Sequence, residues 1–239
     1  MHPVYNNNHD TEEQFINKEN NNYYDYMDKK QQFVITINRE LGSGGRTVGE
    51  KLAQKLGVSF YDKAVVKGLE EKYNLSVEEI EKMKGRKTNW WSDFKRVAGV
   101  GEGLLNSSYY IAVTGKEPDT LTTERVFQAE TEILEGIAQE ESCVIAGRSA
   151  FFVFRNHPNH LSILIQASKP FRVCRLMRKR NMSEEEALQT IEKVDKQREN
   201  YVKRYTDSSR YDTRNYNLVI SADGKTEDEI VDLILSYID

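Results

Sequence analysis

Apolar residues recur along this chain with two different periods, and the alternation between them predicts parallel strands separated by helices. Phe33, Val34, Ile35 and Ile37 form a run broken only by Thr36, the pattern of a strand covered on both faces. From Thr47 the period lengthens: Val48, Leu52, Ala53 and Leu56 fall on one helical face, and Gly57 ends that helix as a residue that takes positive φ readily. Val58 to Tyr61 suits a short second strand ending at Asp62 and Lys63. Val126, Ile133, Leu134, Ile137 and Ala138 predict a helix that leads into a buried strand, Cys143 to Ala146. Leu161 to Ala167 and Asn217 to Ala222 read as two more strands. Such an α/β alternation places a ligand at the carboxyl ends of the strands.

Two helix starts carry capping boxes. Ser183 with Glu186 opens a helix free of Gly and Pro until after Asp207. Its stripe is Ala187, Ile191, Val194, Arg198, Tyr201 and Tyr205, which turns Arg198 inward toward a carboxylate or a bound phosphate, with Asp195 the nearest candidate partner. Thr226 with Glu229 starts a final helix expected to bury Ile230, Leu233, Ile234 and Tyr237. From Ala64 to about Lys116 there are helical patches, the Trp90-Trp91 pair and a glycine-spaced stretch, Gly99 to Gly103, but no obvious strand. That segment reads as a helical lobe whose aromatic pair lines a pocket or fills a small core. Residues 1 to about 30 are rich in Asn, Tyr and acidic side chains and predict a mobile tail.

Composition narrows the class. A chain of 239 residues holds one medium α/β domain with an extra lobe, or at most two small domains. The net charge of −4 and pI near 5.7 argue against a nucleic acid or an anionic membrane surface as partner. With no long apolar stretch and no basic, apolar leader at the start, a cytoplasmic setting is expected. Cys143 and Cys174 read as two buried, reduced thiols, and Pro158 between His157 and His160 predicts a loop rather than a helix presenting two metal ligands.

The richest chemistry lies between the first strand and the first helix. Gly42, Ser43, Gly44 and Gly45 allow positive φ and bring backbone N–H groups close to an anion, and the helix that follows favours negative charge at its start. Against the P-loop pattern G-x-x-x-x-G-K-[ST], the best register runs from Glu40 to Thr47. Gly45 and Thr47 match; Glu40 replaces the first glycine and Arg46 the lysine, keeping the charge but not its shape. The alternative is a glycine-rich turn that only packs a strand on a helix. A basic run, Arg172, Arg175, Arg178, Lys179 and Arg180, follows the Leu161 to Ala167 strand as a solvated face or part of a site.

The order of F-V-I-T-I-N-R-E-L-G-S-G-G-R-T, F-Y-D-K, V-I-A-G-R-S and D-K-Q-R-E-N-Y-V-K-R-Y resembles the cytidylate kinase-like family, a branch of the P-loop nucleoside monophosphate kinases, over Phe33 to Asp239. The resemblance implies a three-layer P-loop fold with a five-stranded parallel sheet, a helical acceptor lobe at about 64–120 and a lid at about 178–212. It implies ATP as donor, Mg²⁺ as cofactor and a small phosphorylated acceptor. Gly42, Ser43, Gly44, Gly45, Arg46 and Thr47 would hold the donor phosphates, with Thr47 on Mg²⁺. Arg46, Arg198 and Arg204 would act on the transferred group, while Asp62, Lys63 and Arg148 would meet the acceptor. Asp62 has three open roles: general base, indirect Mg²⁺ ligand, or cap of the following helix. Gly147-Arg148-Ser149 keeps the arginine of the family's G-R-D and lacks its aspartate. Beside transfer to a nucleoside monophosphate stand two alternatives, a nucleotide-binding module that no longer transfers phosphate and an interaction protein.

Overall fold

Strand β1 (Val34–Arg39) lies at the centre of the sheet, as its unbroken apolar run requires, with Val34, Ile35 and Ile37 fully buried. The computed structural model describes residues 27–62, 123–147 and 149–239. Helix α1 (Gly45–Leu56) follows the glycine-rich turn, and β2 (Ser59–Asp62) follows α1. Helix α2 (Thr123–Glu140) leads into β3 (Cys143–Ala146), the short α3 (Ala150–Val153) and β4 (His160–Gln166). Helices α4 (Lys169–Arg180) and α5 (Glu184–Thr206) precede β5 (Leu218–Ser221) and α6 (Glu227–Ile238). The strands form one five-stranded sheet, order β2-β3-β1-β4-β5, with every pair parallel.

Register brings the strand ends together. Ile37 lies opposite Ala146 and Ile163, Ala146 opposite Asp62, and Arg39 opposite Ile165. Arg39, Asp62 and Gly147 therefore share the carboxyl edge. On one face α1 and α6 cover Ile35, Ile37, Leu161, Ile163 and Ile165. On the other, Phe151 of α3 and Val202 of α5 meet Leu164 and Tyr216. Two lysines of α1 bridge to α6, Lys51 to Asp228 at 2.7 Å and Lys55 to Asp232 at 2.6 Å.

Several expectations shift. The fold begins before residue 30: Met27 is buried in the core and the Asp28 N–H donates to Asn159 Oδ1 at 2.9 Å. Helix α6 buries Ile230, Val231, Ile234 and Ile238, leaving Leu233 47% exposed, because the face toward α1 is turned by one residue from the expected stripe. The buried seam of α5 is Ala187, Ile191, Asp195, Val202 and Thr206; Val194, Tyr201 and Tyr205 flank it and are half-buried. His160 opens β4 instead of lying in a loop, its Nε2 2.8 Å from Thr36 Oγ1. Cys143 is buried but Cys174 is exposed on α4. The tail at residues 1–26, Lys63, Arg148 and the expected lobe with Trp90 and Trp91 lie outside the described residues. Among the described residues no helix is long and apolar enough to cross a membrane.

Candidate active site

The turn from β1 into α1 is built for close approach. Gly42 and Gly44 have φ of 88° and 89°, and a side chain at Gly42 would lie 2.9 Å from the backbone oxygen of Arg172. Gly44 stands at the N-cap of α1 with no side-chain cap. Among the described residues nothing accepts from the N–H groups of Gly45, Arg46 and Thr47. A helix start with unclaimed donors and a positive dipole end favours an anion. Glu40, which stands where the P-loop pattern has its first glycine, pins the turn to the end of β4: its Oε2 accepts from the Ala167 N–H at 3.0 Å and lies 3.7 Å from Arg172 Nε.

Arg46, in the first turn of α1, runs toward β2. Its Nε donates to Asp62 Oδ2 at 2.5 Å, its Nη1 to Glu50 at 3.2 Å, and its guanidinium lies 5.8 Å from the Phe60 ring centre. Asp62 is 4% exposed at the end of β2, so the Arg46 guanidinium from the first turn of α1 meets a buried carboxylate there. The two residues expected on opposite sides of the site, one for donor and one for acceptor, are joined.

A second carboxylate organises the other side. Asp195, on the buried seam of α5, accepts from Arg172 Nη1 at 2.5 Å and from the Leu41 N–H at 3.0 Å. Its Oδ1 also lies 3.6 Å from both Arg198 Nη1 and Arg210 Nη1. Arg198 and Arg210 converge as well on the backbone oxygen of Arg39, Arg198 at 3.1 Å. Burial first, then Arg210, draws the Arg198 guanidinium down to about 10, against the pull of Asp195. Arg210 has a side chain 1% exposed, and Nε and Nη1 make no hydrogen bond. Arg175 packs against Gly44, within 3.4 Å of a side chain placed there, and pairs with Glu227 of α6 at 2.5 Å.

The expected loop residues, Arg46, Asp62 and Arg198 therefore meet at one edge of the sheet. Arg204 is exposed farther along α5, 5.7 Å from the Tyr205 ring centre, and is not part of the Asp195 cluster. Arg39 and Arg210 were not expected at the site, and Glu40, which opens the P-loop register, had no expected role there. Arg39 lies within the β1 motif and Arg210 beyond α5 in a turn with no periodicity, so position in the sequence does not reveal that they meet. Asp195 carried a signal: it falls four residues after Ile191, where the seam calls for an apolar side chain.

Comparison with family models settles the class. The cytidylate kinase-like model matches residues 34–223. The chain belongs to the cytidylate kinase-like family. Comparison with the curated proteins finds no match. Among solved structures, an uncharacterized protein from Eubacterium ventriosum ATCC 27560 shares the fold, with 24% identity, TM-score 0.58, and coverage of 87% of this chain and 99% of its own. Lower similarity extends to a shikimate kinase from Acinetobacter baumannii, in complex with shikimate, at 15% identity, TM-score 0.44, and 88% and 97% coverage. A gluconokinase from Sinorhizobium meliloti 1021 matches at 15% identity, TM-score 0.46, and 87% and 91% coverage. Membership of this family supports phosphoryl transfer to a small molecule.

Proposed function

We propose that this protein is a cytoplasmic, Mg²⁺- and ATP-dependent kinase that phosphorylates a nucleoside monophosphate or a related small molecule. The observation that carries the reading is the meeting of unclaimed N–H groups at the start of α1 with the arginines around Asp195 and Arg39. Phosphoryl transfer needs positioning and charge neutralisation more than covalent chemistry, and this edge offers both. The N–H groups from Gly42 to Arg46, apart from that of Ser43, which donates to the Glu40 oxygen, would hold the donor phosphates, and Arg198 would face the oxygens of the transferred group, with Arg210 adding positive potential. Arg204 would reach the donor only from the outer surface of α5.

The donor set fits Mg²⁺, a hard cation that takes oxygen ligands and draws most of them from phosphates and water. Thr47 supplies a hydroxyl in the first turn of α1, and Asp62 a carboxylate at the neighbouring strand end. When bound, Mg²⁺ would neutralise charge on the phosphate oxygens. Arg46 would swing from Asp62 toward the donor phosphates, with Asp62 then facing the Mg²⁺ site and, together with Lys63 and Arg148, the acceptor.

The test is a coupled ADP-release assay over a panel of nucleoside monophosphates and small metabolites. Arg46→Ala is expected to lower turnover by at least about 100-fold, the scale of a lost charge-stabilising donor, with the fold intact by circular dichroism. An unchanged rate would refute the assignment. A second reading, a nucleotide-binding module without transfer, is favoured by the engagement of Arg46 with Asp62 and Glu50. Calorimetric binding of nucleotide with no ADP release across the panel would select it.

A further inference from the structure

Arg39 closes β1, and among the described residues no carboxylate forms an ion pair with it. Its Cβ would lie 2.6 Å from a side chain placed at Gly45, and a side chain at Gly147, past the end of β3, would overlap its Nη1. Gly147 itself has φ of 85°. The arginine thus crosses the carboxyl edge from β1 toward β3 and β2. Arg172 and Arg175 instead cover Gly42 and Gly44, so the donor turn and the Arg39 head group face different neighbours.

Among the described residues the Arg39 guanidinium makes no hydrogen bond and has no carboxylate within 4 Å. Its backbone is fully used: the N–H donates to Asn38 Oδ1 and the oxygen accepts from Arg198 and Arg210. Arg39 is half-buried, and partial loss of water, then the charge of Arg198, pull its pKa down to about 9, with Arg210 and Arg46 acting in the same direction. Asp62 opposes them, but Asp62 is held by Arg46. A half-buried cation beside other cations, with no carboxylate at hydrogen-bond distance, weakens a fold. At the edge of a ligand site the same arrangement is affinity for an anion held in reserve.

We infer that Arg39 is the residue that grips a phosphomonoester dianion carried by the acceptor, on the β3 and β2 side of the phosphate turn. This rests on the kinase reading above and sharpens it. The acceptor arrives already phosphorylated, and Arg39 forms no covalent bond with it. A planar guanidinium with free N–H groups matches the two-oxygen geometry of a phosphate better than an ammonium does. Neutral sugars and alcohols would leave this cation uncompensated, so Arg39 also selects against them.

The experiment is thermal unfolding of the full chain with Mg²⁺ and a saturating non-hydrolysable ATP analogue, titrated with inorganic phosphate. The analogue is expected to raise Tm in wild type and in Arg39→Gln alike. Phosphate should raise Tm further in wild type, with an apparent affinity at least tenfold weaker in Arg39→Gln and intermediate in Arg39→Lys. In phosphate-free buffer Arg39→Gln should melt at or above wild type, because the substitution removes repulsion, whereas a merely structural arginine would lower Tm when lost. Equal phosphate responses in wild type and Arg39→Gln, or none in wild type, would overturn the inference. If the analogue fails to shift wild type, the kinase reading fails instead. The phosphate response of the free protein, lost or kept in Arg39→Gln, then still decides the role of Arg39.

Discussion

Asp195 shows how one residue sets the character of the site. Placed on an otherwise apolar seam, it meets Arg172, Arg198 and Arg210 and also caps the Leu41 N–H, which lies within the phosphate turn. The aspartate thereby couples the position of α5 to the conformation of the loop from Glu40 to Gly44. Asp195→Asn keeps the shape and an acceptor for Leu41 but removes the charge, leaving the buried Arg172 and Arg210 short of compensation. Loss of one member of a buried ion cluster is expected to lower stability by on the order of 3 kcal/mol, measured by urea unfolding. A loss below about 1 kcal/mol would show that the arginines are compensated by solvent. At this scale the sequence was only partly legible. Arg198 reads as inward-facing from its spacing, but Arg39 and Arg210 need the sheet register and the turn after α5 to bring them together.

Helix α5 illustrates what the chain encodes locally. Ser183 Oγ accepts from the Glu186 N–H at 3.2 Å, and Glu186 Oε2 from the Ser183 N–H at 2.7 Å, the reciprocal pair that S-x-x-E predicts. The Ser183 N–H first, then the Ser183 side chain, hold the exposed Glu186 carboxyl below its ordinary range. Asp207 ends the helix in the left-handed region with φ of 50°, at the position where the pattern stops. Ser183→Ala is expected to cost about 1 kcal/mol, with the larger effect on local hydrogen exchange in the first turn of α5. An unchanged exchange rate there would mean that packing of Ala187 and Ile191 against Val173 and Leu176 suffices to hold the start. Strand and helix positions were readable because each period is a local property. The faces of α5 and α6 were read one residue off, because the partner, not the helix, decides which side is covered.

At the scale of the whole molecule, stability should depend on pH through His160. The half-buried ring lies near Thr36 of β1 and 6.0 Å from the ring centre of Phe154, the residue that ends α3, and burial, then the charge of His157, lowers its pKa to about 4. The unfolded chain takes up this proton near pH 6.5, so the native state binds fewer protons between those values. Stability is complete above about pH 6.5 and falls as pH drops toward 4, by on the order of 3 kcal/mol in total. Urea unfolding across that window should show a flatter slope in His160→Gln; an identical slope would assign the effect to other groups. Strand pairing explains the limit of reading His160 from its neighbours in sequence: Pro158 marks a turn, but pairing with Val34 makes the next residues a strand. By itself the sequence determined the alternation of strands and helices, the caps and the phosphate turn, since these follow from hydrophobic period and backbone freedom within a few residues. Only the tertiary structure decided that Arg46 meets Asp62, that three arginines share Asp195, and that Arg39 pairs with no carboxylate among the described residues. Those facts depend on strand order and register, which bring together side chains that are far apart along the chain.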